Sequence, residues 1–355
     1  MSPPPMRFKP DWPAARERLA ALWEGRPLDR PCIAVTAPSG QDVHWPGPPA
    51  GPEQRWMDPA WVVPHALACM QSTWWGGEAI PSYLLMAGWV FCLGGDVRFD
   101  DNTIWHERRP LDFDRPPRFP FDPADPWVQR HDALYTALAA AAGEGDFLLG
   151  GPLLLPANDL LAMQMGTEHF LLALADRGEW MADAIVEGAR CQIAARRHCR
   201  NLVAARHAYW YGNAGWMPFW APQPFHQAQS DVSCMISPDM FDRFILPELA
   251  LYADQLGPLW YHLDGGNACQ HLPRLLSLPY LRVVQYTPAP GEPPNGPDHL
   301  ALYRQIQAAG KIVHVSVPKQ HVEALLNSLD GALLLLETGC DSIAEAESLL
   351  ARLSM

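Results

Sequence analysis

The C-terminal half of the chain alternates short apolar runs with helical segments, and this repeat limits the possible folds more than any other feature. The apolar runs cover residues 259–263, 281–286, 312–317 and 332–337, with helical patterns between them. The runs begin 20 to 31 residues apart, which leaves room for one helix between successive strands. Continuously apolar strands separated by helices are typical of a parallel sheet buried on both faces. This half is therefore predicted to be α/β.

The N-terminal half shows the same alternation less clearly. A helix is predicted from Asp11, its N-cap, to Gly25, and the apolar run of residues 32–36 predicts a buried strand. Residues 147–150 predict a second, short strand, and residues 167–205 predict two helices that meet near Arg177. The alternation therefore extends over the whole chain, and we expect one domain covering residues 1–355.

Chain length favours one closed fold among the α/β architectures. No GxGxxG follows a predicted strand and no GxxxxGK[ST] occurs, so nucleotide binding in an open doubly wound sheet has no support. A chain of 355 residues suits a TIM (β/α)8 barrel. Of the 37 prolines, 14 lie in three short segments, residues 46–52, 116–126 and 288–297. We therefore predict a TIM barrel with an N-terminal helical extension and proline-rich loop insertions.

Charge and composition exclude several classes of protein. The net charge of −13 argues against a nucleic-acid partner, which needs a basic surface to neutralise phosphates. No apolar run approaches the ~20 residues of a membrane span, and the first thirty residues lack the apolar core of a secretory signal. The eight cysteines contain no CxxC pair. These features predict a cytoplasmic protein with reduced cysteines and a small-molecule substrate.

The end of the predicted strand over residues 259–263 carries the first candidate site. Active sites of such barrels lie at the carboxyl ends of the strands. His262 and Asp264 are two residues apart and so share one face of the strand. The pair could ligate a metal, or Asp264 could orient a catalytic imidazole. The alternative is a hydrogen-bonded pair with a purely structural role at the rim.

A thiol follows the last predicted strand. Cys340 lies 78 positions after His262, and a closed barrel would return it towards the same edge. Thiolate and imidazole are ligands that zinc prefers. The alternative is a buried cysteine that precedes a helix, whose N-terminus would lower the pKa of the thiol.

Further candidates lie on other segments. Ser230 and Asp231 form a polar cluster that either contacts substrate or makes a local turn. Gln285, on the next strand, could face the site. The aromatic residues could line an apolar pocket, or a cage for a methylated ammonium group, or simply pack in the core. The aromatic candidates for substrate contact are Trp210, Trp216 and Tyr261.

Several of these motifs together resemble a known family. The order Gly150-Gly151-Pro152, then residues 229–231, 236–247 and 261–265, resembles the uroporphyrinogen decarboxylase superfamily, most closely its branch near the corrinoid-linked methyltransferases of the methylcobalamin:coenzyme M type. The likeness covers most of the chain and is strongest from Gly150 onwards. The arginine-rich motif ending in GRY of the decarboxylase itself is absent, because Asp-Arg-Pro-Cys occupies residues 29–32. The resemblance implies a TIM barrel.

The resemblance also implies a set of metal ligands. The methyltransferases hold zinc with His-x-Cys and a later cysteine. His262 matches the histidine and Cys340 the later cysteine, whereas Asp264 replaces the intervening cysteine. The implied metal ligands are therefore His262, Asp264 and Cys340, to which Glu337 could add a fourth. The implied methyl carrier is methylcobalamin or another corrinoid, and a corrinoid protein is an implied partner.

Three hypotheses of function follow. The first is metal-assisted methyl transfer between a corrinoid and a small-molecule thiol or methylated substrate. The second is a metal-free decarboxylase-like enzyme acting on a small or tetrapyrrole-like acid, with His262 and Asp264 handling protons. The third is a non-catalytic barrel that binds a small ligand. The expected catalytic residues are His262, Asp264 and Asp231, and the expected substrate contacts are Ser230, Gln285, Trp210, Trp216 and Tyr261.

Overall fold

A computed structural model describes residues 6–143, 145–207 and 217–353. Strands and helices alternate in the C-terminal half as the sequence predicts. The strands are β1 Cys32–Pro38, β2 Thr73–Gly77, β3 Val97–Phe99, β4 Ile104–His106, β5 His226–Gln229, β6 Leu259–Asp264, β7 Leu281–Thr287, β8 Ile312–Ser316 and β9 Leu334–Gly339. The helices are α1 Trp12–Glu24, α2 Pro52–Met57, α3 Pro59–Ser72, α4 Pro126–Ala141, α5 Ala157–Met165, α6 Thr167–Asp176, α7 Gly178–His207, α8 Pro238–Met240, α9 Leu246–Leu256, α10 Leu272–Leu276, α11 Leu300–Ala308, α12 Val322–Leu326 and α13 Ile343–Leu353.

Seven strands form the main sheet, in the order β2-β1-β9-β8-β7-β6-β5. All neighbours pair in parallel except β2, which runs antiparallel to β1. The predicted α/β class is therefore confirmed. Within the described residues, strand pairing does not connect β5 to β2, so the sheet is not hydrogen-bonded into a closed ring.

The short strand predicted over residues 147–150 is reduced to an isolated bridge. Leu148 pairs in parallel with Ser82, and its N–H donates to the carbonyl of Pro81 at 2.7 Å. Leu153 donates to the carbonyl of Leu85 at 3.2 Å. A regular ladder cannot continue here because prolines lack the N–H that pairing requires. The two segments run side by side without forming a strand.

The C-terminal strands confirm the predictions closely. The apolar runs over residues 259–263, 281–286 and 312–317 form β6, β7 and β8. The last strand begins two residues later than predicted, at Leu334. Residues 331–333 form a 3-10 turn instead, because the side chain of Asp330 accepts a hydrogen bond from the N–H of Ala332 at 2.9 Å. Local capping thus overrides the apolar pattern.

The two faces of the sheet pack against different partners. On one face of the sheet, Trp260 of β6 belongs to a core cluster with Trp12 and Leu19 of α1. Helix α1 covers part of this face. Tyr261, the neighbour of Trp260, belongs to a different cluster, with the helices that flank the opposite face. The alternation of a strand divides the side chains between these cores. The α1 side therefore provides an apolar layer beneath the carboxyl ends of the strands.

A proline shapes the segment before α9. The Ser237 hydroxyl accepts a hydrogen bond from the N–H of Met240 at 3.2 Å and so caps α8. Residues 241–245 then form a π turn, and Pro247 lies in the first turn of α9. Proline has no N–H for the helical ladder, and the wider π turn accommodates this loss. The helix restarts and brings Glu248 into the interior, where it is fully buried.

The long helical region is divided where the sequence predicts. α6 ends at Asp176 and α7 begins at Gly178, on either side of Arg177. No helix among residues 6–143, 145–207 and 217–353 is long and apolar enough to span a bilayer.

Candidate active site

A row of polar side chains lies at the carboxyl ends of the central strands. Gln229 of β5 is in register with His262 of β6, His262 with Gln285 of β7, and Gln285 with His314 of β8. Parallel strands end at the same edge of a sheet, which is where active sites of α/β folds lie. Beneath this row is the apolar layer that includes Trp260. The edge is therefore the candidate active site.

Gln285 fixes the imidazole of His262. The Gln285 side chain is buried, and its amide nitrogen donates to the Tyr286 carbonyl at 3.0 Å and to the Thr287 hydroxyl at 3.0 Å. Its amide oxygen consequently faces Nδ1 of His262, which must donate to it. The neutral ring therefore carries its proton on Nδ1, and Nε2 is its basic nitrogen. The ring also lies parallel to the indole of Trp260, with 6.5 Å between centroids.

A second imidazole is fixed deeper in the same row. His314 is fully buried, and its Nδ1 accepts a hydrogen bond from the indole N–H of Trp260 at 3.0 Å. Its Nε2 donates to the carboxylate of Glu337 on β9 at 2.7 Å. The sequence carried a signal for His314, a lone histidine in an apolar strand, which our predictions did not use. Trp260 therefore contacts both imidazoles of the site.

A buried carboxylate supports the turn that follows β5. Asp159, on α5, accepts hydrogen bonds from the backbone N–H of Asp231 at 2.8 Å and of Val232 at 3.2 Å. Burial and the neighbouring Asp231 carboxylate raise the pKa of Asp159, although the two N–H donors oppose this. Asp159 was not predicted, because the contact joins residues about seventy positions apart. It sets the position of Asp231.

Asp231 lies within electrostatic range of the His262–Asp264 pair. Its side chain reaches solvent at the edge of the sheet, and Gln229 donates a hydrogen bond to it at 3.0 Å. The surrounding protein raises the pKa of Asp231 by desolvation, His262 lowers it, and the Asp264 carboxylate raises it. The structure thus brings together the three residues predicted to be catalytic. Two carboxylates flanking an imidazole can donate, accept and stabilise a proton.

The predicted substrate contact Ser230 has a different position. Its side chain is buried, and its hydroxyl donates to the amide oxygen of Asn158 at 2.9 Å. Asn158 in turn donates to Glu248 at 2.7 Å, and Glu248 also accepts from the N–H of Ala157 at 2.6 Å and the hydroxyl of Tyr252 at 2.8 Å. Burial raises the pKa of Glu248 to about 7. Ser230 thus belongs to an internal chain of hydrogen bonds.

Of the three aromatic candidates, Tyr261 lies within the described residues, and its side chain lies away from His262. Tyr261 is 1% exposed and packs in the core on the opposite face of β6. Side chains of consecutive strand residues alternate, so a site that contains His262 cannot also contain its neighbour. The side chain of Tyr261 therefore does not lie at the edge of the sheet that carries His262. Trp210 and Trp216 lie outside the described residues.

The implied zinc ligands are not brought together. Cys340 follows β9, which two strands separate from β6, and its backbone N–H donates to the carbonyl of Thr36 at 2.8 Å. Its side chain lies in the core that contains Ala346 of α13. Burial raises the pKa of this thiol, against the expected lowering. In the part of the chain that the structure describes, no three His, Cys, Asp or Glu side chains form a group able to hold a metal ion. His262, Asp264 and Cys340 therefore do not fit a resident zinc.

Comparison with known proteins supports the fold. No family model matches the sequence, and no curated protein matches it significantly. Among solved structures, a methyltransferase from Methanosarcina mazei is similar, with a TM-score of 0.61 over 95% of this chain and 97% of that one. The two sequences are 12% identical, so the similarity shows that the chains share a fold.

Proposed function

We propose that this protein is an enzyme that transfers a methyl group between a corrinoid and a small-molecule thiol or methylated substrate. The observation that carries the proposal is the imidazole of His262, fixed by Gln285 and flanked by Asp231 and Asp264, at the open edge of the sheet. The fold shared with the Methanosarcina methyltransferase over nearly the whole chain supports it. The proposed architecture is a (β/α)8 barrel of the uroporphyrinogen decarboxylase superfamily.

The residues of the site suit the activation of a thiol acceptor. Nε2 of His262 takes the S–H proton, and a sulfur lone pair forms the new bond to the methyl carbon. The bond between methyl and donor breaks, and its electron pair remains on the donor. The imidazolium that forms is stabilised by the carboxylates of Asp231 and Asp264. Gln285 keeps Nε2 oriented throughout, because its own hydrogen bonds to Tyr286 and Thr287 hold it in place.

The donor and the metal are separate questions in this proposal. The corrinoid acts as a second substrate in this proposal, and the sequence resemblance supports its involvement. No step passes through zinc, because the expected ligands are not brought together. The proton-handling group at His262 provides the activation that a metal ligand set would otherwise supply.

A methyl-transfer assay tests the proposal. Purified protein is mixed with methylcobalamin and a panel of small thiols, and the methylated thiol is measured by mass spectrometry together with the spectral change of the cobalamin. His262→Ala should lower the rate by roughly a hundredfold or more, the scale of general base catalysis. His44→Ala removes an exposed histidine from an unrelated loop and should have no effect. Failure to methylate any thiol, and to demethylate methylated thiols or amines in the reverse direction, would reject the proposal.

A metal-free acid–base enzyme is the second candidate. It is favoured by Asp231, a carboxyl group of raised pKa that lies within electrostatic range of the imidazole of His262 and is able to hold a proton. Such a site suits decarboxylation, in which the carbanion left by CO₂ must be protonated. The test is release of CO₂ from small or tetrapyrrole-like acids. Asp231→Asn should abolish the release, and absence of CO₂ from every acid would exclude the candidate.

A further inference from the structure

Glu337 lies at the carboxyl end of β9, and the proposed reaction does not use it. It is in register with Ser316 of β8, which follows His314 by two residues. Residues two apart on a strand share a face, so Glu337 lies on the same face of the sheet as His314 and, through the register of β8 with β7 and β6, as His262. At ~4.8 Å per strand, three strand spacings separate Glu337 from His262 by about 14 Å along the sheet. Glu337 therefore borders the candidate active site on the side opposite to Asp231.

One oxygen of the Glu337 carboxylate is held by His314. Nε2 of the imidazole donates to Oε1 at 2.7 Å, and the imidazole is 1% exposed, so its position is fixed by packing. The other oxygen, Oε2, has no hydrogen-bond or ion-pair partner in the part of the chain that the structure describes. The side chain of Glu337 is 17% exposed, so a ligand can reach it from the edge of the sheet. The carboxylate is therefore fixed in direction and presents one acceptor atom to a ligand.

Trp260 keeps His314 uncharged. An indole N–H can only donate, so the hydrogen bond of 3.0 Å between Trp260 and Nδ1 of His314 requires a lone pair on that nitrogen. The ring therefore carries its single proton on Nε2, where it donates to Glu337. This hydrogen bond orients the carboxylate without cancelling its charge. The buried carboxylate of Glu78 differs, because Arg30 pairs with it as a full cation.

No other basic side chain described at this edge compensates the charge of Glu337. The structure describes every residue between the strands β5 to β9 and the α-helices that follow them, and Lys319 is the single lysine or arginine of these segments. Its ammonium already pairs with Asp341 at 2.6 Å and with Glu345 at 2.7 Å. The two other carboxylates of the candidate active site add charge of the same sign. The edge is therefore negative and attracts a cation.

We propose that Glu337 binds a positively charged group of the substrate, so that the thiol or methylated thiol of the reaction carries an ammonium group at its other end. The inference rests on the proposed function, which places the reacting sulfur at Nε2 of His262. The ammonium donates a hydrogen bond to Oε2 of Glu337 and supplies the counter-ion that the edge lacks. A carboxylate or sulfonate in the same position meets carboxylates of its own sign and is disfavoured. Glu337 thus selects the charge of the substrate, while His262 acts on its sulfur.

Three six-carbon thiols of matched length test the proposal by calorimetric titration of the full-length protein. They are 6-aminohexanethiol, 6-mercaptohexanol and 6-mercaptohexanoate, which end in a cation, a neutral hydroxyl and an anion respectively. We expect the amine to bind most tightly and the carboxylate most weakly. Glu337→Gln keeps an oxygen that accepts from His314 but removes the charge. It should weaken binding of the amine by roughly tenfold or more and leave binding of the alcohol unchanged within about twofold.

Glu17→Gln is the matched control, because it removes an exposed glutamate of α1 whose partner is Arg26, at 2.9 Å. It should bind all three thiols like the wild type. Equal binding of the amine by Glu337→Gln and the wild type overturns the inference. A wild type that binds the three thiols equally, or that prefers the carboxylate, overturns it as well. This preference is measured without any variant, so the inference can be tested even if Glu337→Gln does not fold.

Methylation assays separate this inference from the proposed function. In an active protein, Glu337→Gln should raise KM for the amine and leave kcat unchanged, because the ammonium binds equally in the ground state and the transition state. A wild type that methylates the amine and the alcohol with the same kcat/KM overturns the inference and leaves the proposed function intact. A protein that binds the amine through Glu337 but methylates none of the thiols rejects the proposed function, and the cation site remains.

Discussion

The carboxamide of Gln285 holds the imidazole of His262 in a single tautomer. Gln285 donates through its nitrogen to Tyr286 and Thr287, which leaves its oxygen to accept from Nδ1 of His262. A histidine without such a neighbour in water samples both tautomers. The neutral ring of His262 therefore presents Nε2, its basic nitrogen, in a defined direction.

The first prediction concerns this tautomer. In the wild type, the ¹⁵N shifts of the neutral His262 ring should show the proton on Nδ1. Gln285→Leu should remove this preference, so that a substantial fraction of the ring carries its proton on Nε2. The measurement is NMR of histidine-labelled protein at a pH where the ring is neutral.

His314 provides the internal control for that experiment. It donates through Nε2 to Glu337 and accepts at Nδ1 from Trp260, so its proton should lie on Nε2 in both proteins. A wild-type His262 that carries its proton on Nε2 would contradict the proposed role of Gln285.

The sequence predicted the strands of the C-terminal half more completely than it predicted the residues of the candidate site. The strands β6 to β8 were predicted because burial on both faces demands continuous apolar runs. His262, Asp264 and Gln285 were selected as candidates because strand ends can be identified from those runs. The face on which Tyr261 packs could not be predicted in this way, because a strand end alone does not say which face is open.

The supporting carboxylates could not be predicted for a different reason. Asp159 and Glu248 reach the site through contacts over about seventy and about ninety residues. No local sequence pattern distinguishes them from surface carboxylates, because their burial and their hydrogen bonds arise only from tertiary packing. Cys340 differs again, since the resemblance matched it to the later cysteine of the family while its side chain lies in the core that contains Ala346 of α13.

The second prediction concerns Asp159, which satisfies two backbone N–H groups of the turn at Asp231. Asp159→Ala leaves those donors without a partner, and each unsatisfied buried group costs about 1–3 kcal/mol. We expect the free energy of unfolding to fall by roughly 2–4 kcal/mol. Asp159→Asn keeps an acceptor oxygen and should lose much less. Urea titration measures both, and equal losses for the two variants would show that the hydrogen bonds are not the cause.

The third prediction concerns the buried carboxylate of Glu78. It is 1% exposed, accepts from both terminal nitrogens of Arg30 at 2.7 and 2.8 Å, and accepts from the N–H of Ile33 at 2.8 Å. Glu78→Ala leaves the Arg30 charge uncompensated near the sheet, which should cost about 3–5 kcal/mol. The exposed pair of Glu323 and Arg352, at 3.0 Å, is the control.

Glu323→Ala removes a carboxylate from a surface pair, and such pairs contribute only about 0–1 kcal/mol. Unfolding in guanidinium chloride compares the two variants. A Glu78→Ala protein as stable as Glu323→Ala would mean that solvent reaches Arg30 readily.

The fourth prediction concerns the pH dependence of stability that Glu248 produces. Burial raises its pKa in the folded protein to about 7, whereas an unfolded glutamate titrates near 4.5. Between these two values the folded state holds a proton that the unfolded state has lost. The free energy of unfolding therefore falls as the pH rises, by about 1.4 kcal/mol per pH unit and roughly 3 kcal/mol in all. This stabilisation is fully present below pH 4.5 and is lost above about pH 7.

Glu248→Gln isolates this contribution, because glutamine does not titrate. The variant should be less stable than the wild type at about pH 5, and the difference should shrink by roughly 3 kcal/mol by about pH 8. The shrinkage follows because the wild type must carry a buried charge at high pH, while the hydrogen bonds from Asn158, Tyr252 and Ala157 offset only part of its desolvation. Urea unfolding at the two pH values gives the difference directly. A difference that stays constant would mean that these three donors keep Glu248 ionised at both pH values. The chain of hydrogen bonds from Ser230 to Glu248 would then hold a fixed negative charge behind the candidate active site.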